Sequence, residues 1–505
     1  MLSPSFLSWS PPLWFSALAL TIDMIIRVVA LGVVPHNRRP SAAWGWLLAI
    51  FFVPIVGVVL YLVIGRLALP EPRRRRQAAV PTIAGVDDAG GRADWSAPSG
   101  AADHSAALPE WVRDAVRLNR RLTGLPLVPA YAAEVLIDYT ASLERITRAV
   151  EGARRAVHLQ FYIFAADAST EPLIRAVEKA HARGVEVKVL MDHIGSLGFP
   201  GYAQLVRRLD RGGIPWHRML PVRPWRGEYQ RPDIRNHRKI AVIDDEVAFV
   251  GSQNLIDASY NKKKNLRKHL QWRDLMLRVE GPVVAHVDAV FLADWSSESG
   301  DAVPPAPPAA PAPMTGPGRI LCQVLPSGAG DNPGKDEEAN LRLFSQLFYS
   351  ARTRIIMTSP YFVPEESTLV ALTTAAQRGV DVRLYVGEAS DHPLTHRAQR
   401  SYYEMLLRAG VTIHRHRPPY ILHSKFLLID EDVAIIASSN VDMRSFALNL
   451  ELDLMVCDRD FVRRMDTVVA AYEDDSSTLG LDEWMSRPLR QKYIDNVCRL
   501  TASLQ

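Results

Sequence analysis

Two stretches of this chain repeat one order of side chains. His237-Arg238-Lys239 opens the apolar run Ile240–Ile243, which ends in Asp244 and Asp245; His423-Ser424-Lys425 opens Phe426–Ile429, which ends in Asp430 and Glu431. A second apolar run follows each, and then a pair of hydrogen-bonding side chains: Ser252 and Asn254 in one copy, Ser438 and Asn440 in the other. These residue types suit phosphoryl chemistry. An ammonium is a compact positive charge for phosphate oxygens. Hydroxyl and amide groups donate to the charge that spreads over those oxygens in the transition state. Imidazole acts as nucleophile or proton donor near neutral pH. One copy supplies one histidine. Two copies facing each other supply a nucleophile and an acid, with a lysine on either side of one phosphate. Each histidine needs a carboxylate to fix its tautomer. Asp274 is the candidate in the first half and Glu451 in the second, each in an apolar strand-like run downstream of its motif. Neither serine lies in a nucleophile-elbow pattern, which argues against a serine hydrolase.

Hairpins must position these groups. With turns at Asp244–Glu246 and Asp430–Asp432, two apolar strands pair in each copy, and His and Lys share one face because side chains alternate. His237 then lies opposite residues 252–254, and His423 opposite 438–440. Asp244 and Asp430 fall at the turns, ~20 Å from the histidines at a strand rise of ~3.3 Å per residue. They are expected to cap turn amides and to be structural, not catalytic acids.

The hairpins sit in larger internal repeats. Ala-Arg-Arg-Ala-Val-His-Leu-Gln-Phe-Tyr-Ile-Phe from Ala153 matches Ala-Arg-Thr-Arg-Ile-Ile-Met-Thr-Ser-Pro-Tyr-Phe from Ala351 in pattern. A helical pattern follows each, over 171–183 and 366–378, ending in Arg-Gly-Val with Gly184 and Gly379 as C-caps. New strands begin at once, over 185–191 and 380–386. Strand-helix-strand order predicts an α/β layer in each half. An insert at Tyr260–His269, with Lys262–Lys264, Arg267 and Lys268, separates the first motif from Asp274. It reads as a solvated basic loop or as a contact for anionic headgroups.

The chain has 505 residues, room for about three units. Net charge is +4, too small an excess to argue for a nucleic-acid partner. Its three cysteines, Cys322, Cys457 and Cys498, are dispersed, so neither a disulfide framework nor a zinc site is expected, and a reducing compartment fits. Two apolar runs, Leu13–Val34 and Ala43–Ile64, are each long enough to cross a bilayer as a helix. The segment before Leu13 lacks a positive region, so a cleaved signal peptide does not fit. Asp23 and Arg27 inside the first run are four apart and can pair. Arginines at the exit, Arg66 and Arg73–Arg76, outnumber Arg38 and Arg39 in the loop, which predicts a cytoplasmic exit and, for a hairpin, a cytoplasmic N-terminus. The expected plan is a membrane hairpin over 1–69, a flexible tether over 70–108, a first repeat over 109–302, a Pro/Ala linker over 303–318 and a second repeat over 319–505.

The paired motifs resemble the phospholipase D superfamily signature, His-x-Lys-x4-Asp followed by Gly-Ser-x-Asn-like residues. Longer stretches are similar to the bacterial cardiolipin synthase family: Gly-Ser-Gln-Asn at 251–254, Glu-Gly-Pro-Val at 280–283, Ser-Pro-Tyr-Phe-Val-Pro at 359–364, Gln-Arg-Gly-Val-Asp-Val at 377–382, Asn-Val-Asp-Met-Arg-Ser at 440–445 and Val-Pro-Ile-Val-Gly-Val-Val-Leu-Tyr at 53–61. The resemblance implies an α/β fold of two phospholipase D-like repeats packed pseudo-symmetrically behind a two-helix transmembrane hairpin. It implies a phosphatidyltransferase in the bacterial inner membrane, with its catalytic part in the cytoplasm. Its partners would be phosphatidylglycerol and the bilayer, and it would use no metal or other cofactor. Two phosphatidylglycerols would give cardiolipin and glycerol through a phosphohistidine, with His237 as nucleophile and His423 as acid. Ser252, Asn254, Ser438 and Asn440 would bind phosphate. Ala437 stands where the family pattern has Gly, with Ser438 and Asn440 keeping their places. A phospholipase D-type phosphodiesterase that hydrolyses phospholipid stays open, because water and a lipid alcohol differ only in access to the pocket. A non-catalytic scaffold has no need of both His/Lys pairs.

Overall fold

The first apolar run forms one helix, α1 (Leu13–Val33), long and apolar enough to cross a membrane. The second run does not continue as a single span. Pro54 lacks an amide hydrogen, and the chain breaks at Val53 into α2 (Pro40–Phe52) and α3 (Pro54–Ile64). The two fold back on each other. The Trp46 and Tyr61 rings meet edge-to-face with centroids 5.6 Å apart. A Cβ on Gly57 would lie 2.7 Å from the backbone of Ala49 and Ile50, so only glycine admits this approach. Ala30 and Val34 of α1 share a small core with Ala43, Leu47 and Ile50 of α2, and Arg27 pairs with Asp23 at 2.8 Å. The expected pair of spans is thus one spanning-length helix followed by a short helical hairpin. This computed structural model describes residues 12–36, 40–65, 69–86, 105–303, 319–328 and 338–500. Residues 1–68 and 69–505 form separate compact units.

The second unit contains two sheets built on one plan. In the first, strands follow the order 132–136, 276–280, 247–251, 240–243, 156–161, 186–192, 216–219. In the second, the order 320–327, 451–457, 433–436, 426–429, 354–358, 381–387, 412–416 repeats it, with 128–130 and 476–478 added at the edges. In each, the last three strands of that order run parallel and the others antiparallel. The crossover helices are Glu171–Ala182 and Glu366–Gln377, and Gly184 and Gly379 beyond them have φ of 87° and 91°. Alternation sorts the side chains into layers. Ile240 and Val242 enter a core shared with Phe426 and Leu428 of the other repeat, while Ala241 and Ile243 pack outward under the first repeat's own helices. Helix Val283–Ser299 contributes Val287, Phe291 and Trp295 to the shared core.

Two expected boundaries change. Helix Glu110–Thr123 and strand Val128–Ala130 belong with the second repeat, although they precede the first in sequence. Trp111, Val112 and Ala115 lie in the second repeat's outer core, and 128–130 pairs with 320–322. The tether is also partly ordered. Helix α4 (Glu71–Ala78) and helix α5 (Val80–Ile83) pack on Val283–Ser299. Leu69, Val80 and Ile83 are buried in the shared core, and Arg73 pairs with Glu298 at 2.8 Å. Polar composition hid this docking: only a few apolar side chains, Ala84 with the three above, are buried, and their polar neighbours find partners. Residues 87–104 of the tether and 304–318 of the linker lie outside the described residues.

Candidate active site

The hairpins form with the expected register. Ile243 pairs with Val247 and Ile240 with Val250 in the first repeat, and Ile429 with Val433 and Phe426 with Ile436 in the second. The turns use left-handed aspartates: φ is 56° at Asp244, 58° at Asp245 and 50° at Asp430. The signature aspartates do not reach the histidines. Each accepts hydrogen bonds from three backbone amides, Arg154, Arg155 and Ala156 for Asp244 and Arg352, Thr353 and Arg354 for Asp430. These amides belong to the approach to the neighbouring strand, not to the turn itself as expected. The carboxylates therefore clamp each hairpin tip to the start of the neighbouring strand, 156–161 or 354–358.

The histidine partners are crossed between the repeats. His237 Nδ1 lies 3.0 Å from both oxygens of Glu451, and His423 Nδ1 lies 2.6 Å from Asp274 Oδ1. The sequence reading paired each histidine with the acid of its own half; the structure reverses both. The cause is backbone pairing at the interface. Residues 271–273, just before Asp274, run parallel to 420–422, just before His423. Asn236 bridges Leu450, and the amide of His237 donates to Leu450 O at 2.8 Å. Each histidine thus leaves its strand beside the other repeat's acid, and neither repeat holds a complete couple.

The lysines complete the constellation. Lys239 Nζ donates to His237 O and Lys425 Nζ to His423 O, each at 2.6 Å, so both ammoniums stay beside their own motif's histidine. All four His and Lys side chains are buried. Burial, with Lys239 adding repulsion and Glu451 opposing, holds His237 down at about 4; burial and Lys425, against Asp274, hold His423 at about 3. Burial also lowers Lys425 to about 8 and Lys239 well below its usual range. Burial pushes the carboxyls of Glu451 and Asp274 up, but their histidine, lysine and serine neighbours reverse this and keep both low. Burial thus favours the neutral form of both imidazoles, and the Nδ1–carboxylate contacts favour the tautomer that leaves Nε2 free to act.

The expected phosphate donors are mostly committed elsewhere. Ser252 Oγ donates to Asp274 Oδ1 at 2.7 Å and accepts from Leu275 N; Ser438 Oγ donates to Glu451 Oε2 at 2.6 Å and accepts from Leu452 N. Both hydroxyls thus contact the acids that hold the histidines. Asn254 is occupied at both ends, accepting from Ile163 N and donating to Tyr260 OH. Asn440 Oδ1 is buried without a hydrogen-bond partner among the described residues. At Gly251 φ is 150° and a Cβ would lie 2.3 Å from Leu275 O. Ala437 in the second repeat needs a different loop path. There the amides of Ser438 and Ser439 turn to Asp453 Oδ1 at 3.0 and 3.1 Å, a buried acid with no counterpart in the first repeat, where Met276 occupies its place.

Aromatic side chains wall the site. Tyr162 stands edge-on to His237 at 5.1 Å, and Trp272 edge-on to His423 at 4.5 Å. Lys239 Nζ lies 5.7 Å from the Tyr162 ring centroid. Behind His237, the fully buried Arg238 donates to Glu451 O, Asp294 and Gln77 of α4. The sequence reading did not assign these residues; the repeat alignment that places Tyr162 near Tyr361 was the available signal. Among the described residues, no group of three His, Cys, Asp or Glu side chains is placed to share a metal ion.

The chain is similar to known proteins along most of its length. The family model for the phospholipase D-like domain of cardiolipin synthase matches residues 146–295 and 344–472, and that for the phospholipase D-nuclease N-terminal region matches 19–66. Cardiolipin synthase A of Proteus mirabilis is 31% identical over 481 residues, covering 94% of this chain and 95% of that one. Cardiolipin synthase A of Serratia proteamaculans is 32% identical over 484 residues, with the same coverage. The crystal structure of phosphatidylserine synthase from Haemophilus influenzae superposes with a TM-score of 0.58 at 14% identity, covering 77% of this chain and 99% of that one, a likeness of fold. With its duplicated domain matched over more than half its length, and such relatives along nearly all of it, the chain belongs to the bacterial cardiolipin synthase family of the phospholipase D superfamily.

Proposed function

We propose that the chain makes cardiolipin by moving a phosphatidyl group from one phosphatidylglycerol to the glycerol headgroup of another, through a phosphohistidine on His237. The supporting observation is the pair of crossed His–carboxylate couples, each with its lysine, in one buried site. His237 Nε2 attacks phosphorus, the P–N bond forms and the P–O bond to glycerol breaks. His423 gives its proton to the departing oxygen. Both histidines rest neutral, so the acid must gain its proton with the substrate. A phosphodiester anion between the lysines raises imidazole basicity, and one proton shared by the pair suffices. The hydroxyl of the second phosphatidylglycerol then gives a proton to His423 and attacks phosphorus; the P–N bond breaks and cardiolipin leaves. Sequence symmetry does not decide which histidine is the nucleophile, and the assignment to His237 follows the family pattern. Purified protein given phosphatidylglycerol should yield cardiolipin and glycerol. Phosphatidic acid without cardiolipin would overturn the transfer reading in favour of hydrolysis.

The membrane placement we infer combines the exit arginines with the hairpin. Helix α2 is 13 residues, about 20 Å, shorter than a hydrocarbon core of ~30 Å, and α3 is 11 residues. The hairpin therefore dips into the bilayer and returns the chain to the face it came from. With α1 as a single crossing, residues 12 and 65 lie on opposite faces. The exit cluster Arg66, Arg74, Arg75 and Arg76 favours the cytoplasm for the catalytic part. The N-terminus is then outside, not inside as two full spans would put it.

A further inference from the structure

Helix Leu489–Arg499 carries an apolar stripe that no described residue covers. Leu489, Tyr493, Val497 and Leu500 recur at intervals of four, four and three, one face of an α-helix, and the first, second and last are 81%, 72% and 81% exposed. The opposite face is fixed by ion pairing. Asp495 is buried and accepts from Arg397 at 3.3 Å, Arg400 at 3.1 Å and Arg487 at 2.8 Å. Arg397 and Arg400 lie on helix Pro393–Arg400, whose own Leu394 is 61% exposed.

This surface is joined to the candidate active site by a short chain of contacts. Asp391, two residues before Pro393, pairs with Lys262 Nζ at 3.1 Å and accepts from Tyr361 OH at 2.7 Å. Lys262 stands 5.9 Å from the Trp272 ring, which packs edge-on to His423. Directly after Lys262 comes the short helix Lys263–Lys268, with exposed Lys263, Lys264, Arg267 and Lys268 around an exposed Leu266. Leu394 and the cations of Lys263–Lys268 thus flank the Asp391–Lys262 pair on the His423 side of the site. The exposed positions of the C-terminal helix, residues 489, 490, 491, 493, 496 and 497, include no acid, and those of the basic helix include none either.

We infer that the C-terminal helix, helix Pro393–Arg400 and the basic helix form a docking face for the surface of an anionic bilayer, laying the stripe among the acyl chains and the cations among the headgroups beside the site. An apolar stripe with flanking cations and without acids fits an anionic lipid surface. A second copy of this chain would meet the face with the same sign of charge, which opposes a self-complementary contact. The inference deepens the lipid-transfer reading by naming the surface from which substrate enters.

The test uses the full-length protein in vesicles of phosphatidylglycerol and phosphatidylcholine. A polarity-sensitive fluorophore is attached at Tyr493→Cys, Val497→Cys or Leu394→Cys, with Val370→Cys, exposed on helix Glu366–Gln377, as the control; the native cysteines are buried. Blue-shifted emission, quenched by lipid-borne nitroxide at the three face positions and not at residue 370, is expected. Water-like emission at all four overturns the inference. So does a blue shift that persists in detergent without bilayer lipid and grows with protein concentration, because that reports self-association. A Leu489→Gln, Tyr493→Gln, Val497→Gln triple variant should lose about tenfold or more in turnover on vesicles and less than about twofold on monomeric short-chain phosphatidylglycerol. Equal loss on both substrates would mark the stripe as structural and overturn the inference. If the unmodified protein made no cardiolipin, the transfer reading would fail, while the fluorescence result would still decide docking.

Discussion

The crossed couples make a prediction that a pairing within each repeat reverses. Glu451 is fully buried and holds His237 Nδ1 at 3.0 Å, Ser438 Oγ at 2.6 Å and Asn449 Nδ2 at 3.2 Å. Glu451→Gln keeps the shape and removes the charge that supports positive His237 as its Nε2 forms a bond to phosphorus. General acid–base and orienting groups of this kind contribute ~10²–10⁴ in rate, so a loss of about 10³, or about 4 kcal/mol, is expected. Asp274→Asn should cost a similar factor on phosphatidylglycerol, but at another step, because Asp274 serves His423 at 2.6 Å. A phosphatidyl donor with a nitrophenol leaving group separates the two. Nitrophenolate departs without an acid, so Asp274→Asn should give a rapid burst and accumulate label on His237. Glu451→Gln should give neither, since its nucleophile is impaired. Rapid-quench measurement of nitrophenol and of acid-labile protein-bound phosphate reads both steps. A burst in Glu451→Gln with none in Asp274→Asn would refute the crossed assignment with His237 as nucleophile. Unfolding midpoints for both variants guard against loss of the fold.

Further outcomes follow from the same geometry. His237 at about 4 and His423 at about 3 are deprotonated at neutral pH and the reaction takes up one proton, so kcat/KM should fall as pH rises above that range; loss of charge on Lys425, at about 8, should steepen the fall near 8, a steepening that Lys425→Arg removes. Asp430→Ala should destabilise by about 2–4 kcal/mol in urea unfolding, because three amides and the Thr353 hydroxyl lose their acceptor, while turnover per folded molecule changes little; Asp244→Ala should behave alike, and a large fall in turnover without a stability change would count against the clamp. The single crossing predicts that, in intact cells, an impermeant thiol reagent labels a cysteine placed before Leu13 and not one placed in 87–104. Labelling of neither, or of both, is inconsistent with it.

Much of the site was legible because its residues are close in sequence. His237 and Lys239, or His423 and Lys425, share a strand face by alternation, and the apolar runs with aspartates between them specify the hairpin and its register. The repeat order, the C-capping glycines and the apolar length of α1 are also local properties. What the tertiary structure decided depends on contacts between distant segments. The crossing of His237 to Glu451 and His423 to Asp274 comes from parallel pairing of 271–273 with 420–422 and the bridge of Asn236 to Leu450, which no local pattern encodes. Ser252 and Ser438 have the chemistry of phosphate donors; only the folded positions of Asp274 and Glu451 claim them. The break at Val53 was visible as Pro54, but a proline in an apolar helix is compatible with a kinked span, and the fold-back depends on close packing of Gly57 against Ala49 and Ile50. Helix Glu110–Thr123 joins the repeat that follows it by two hundred residues in sequence because the free edge at 320–322 accepts strand Val128–Ala130. Sequence determines the chemistry each segment can offer; burial and long-range pairing determine which groups meet and in which proton state.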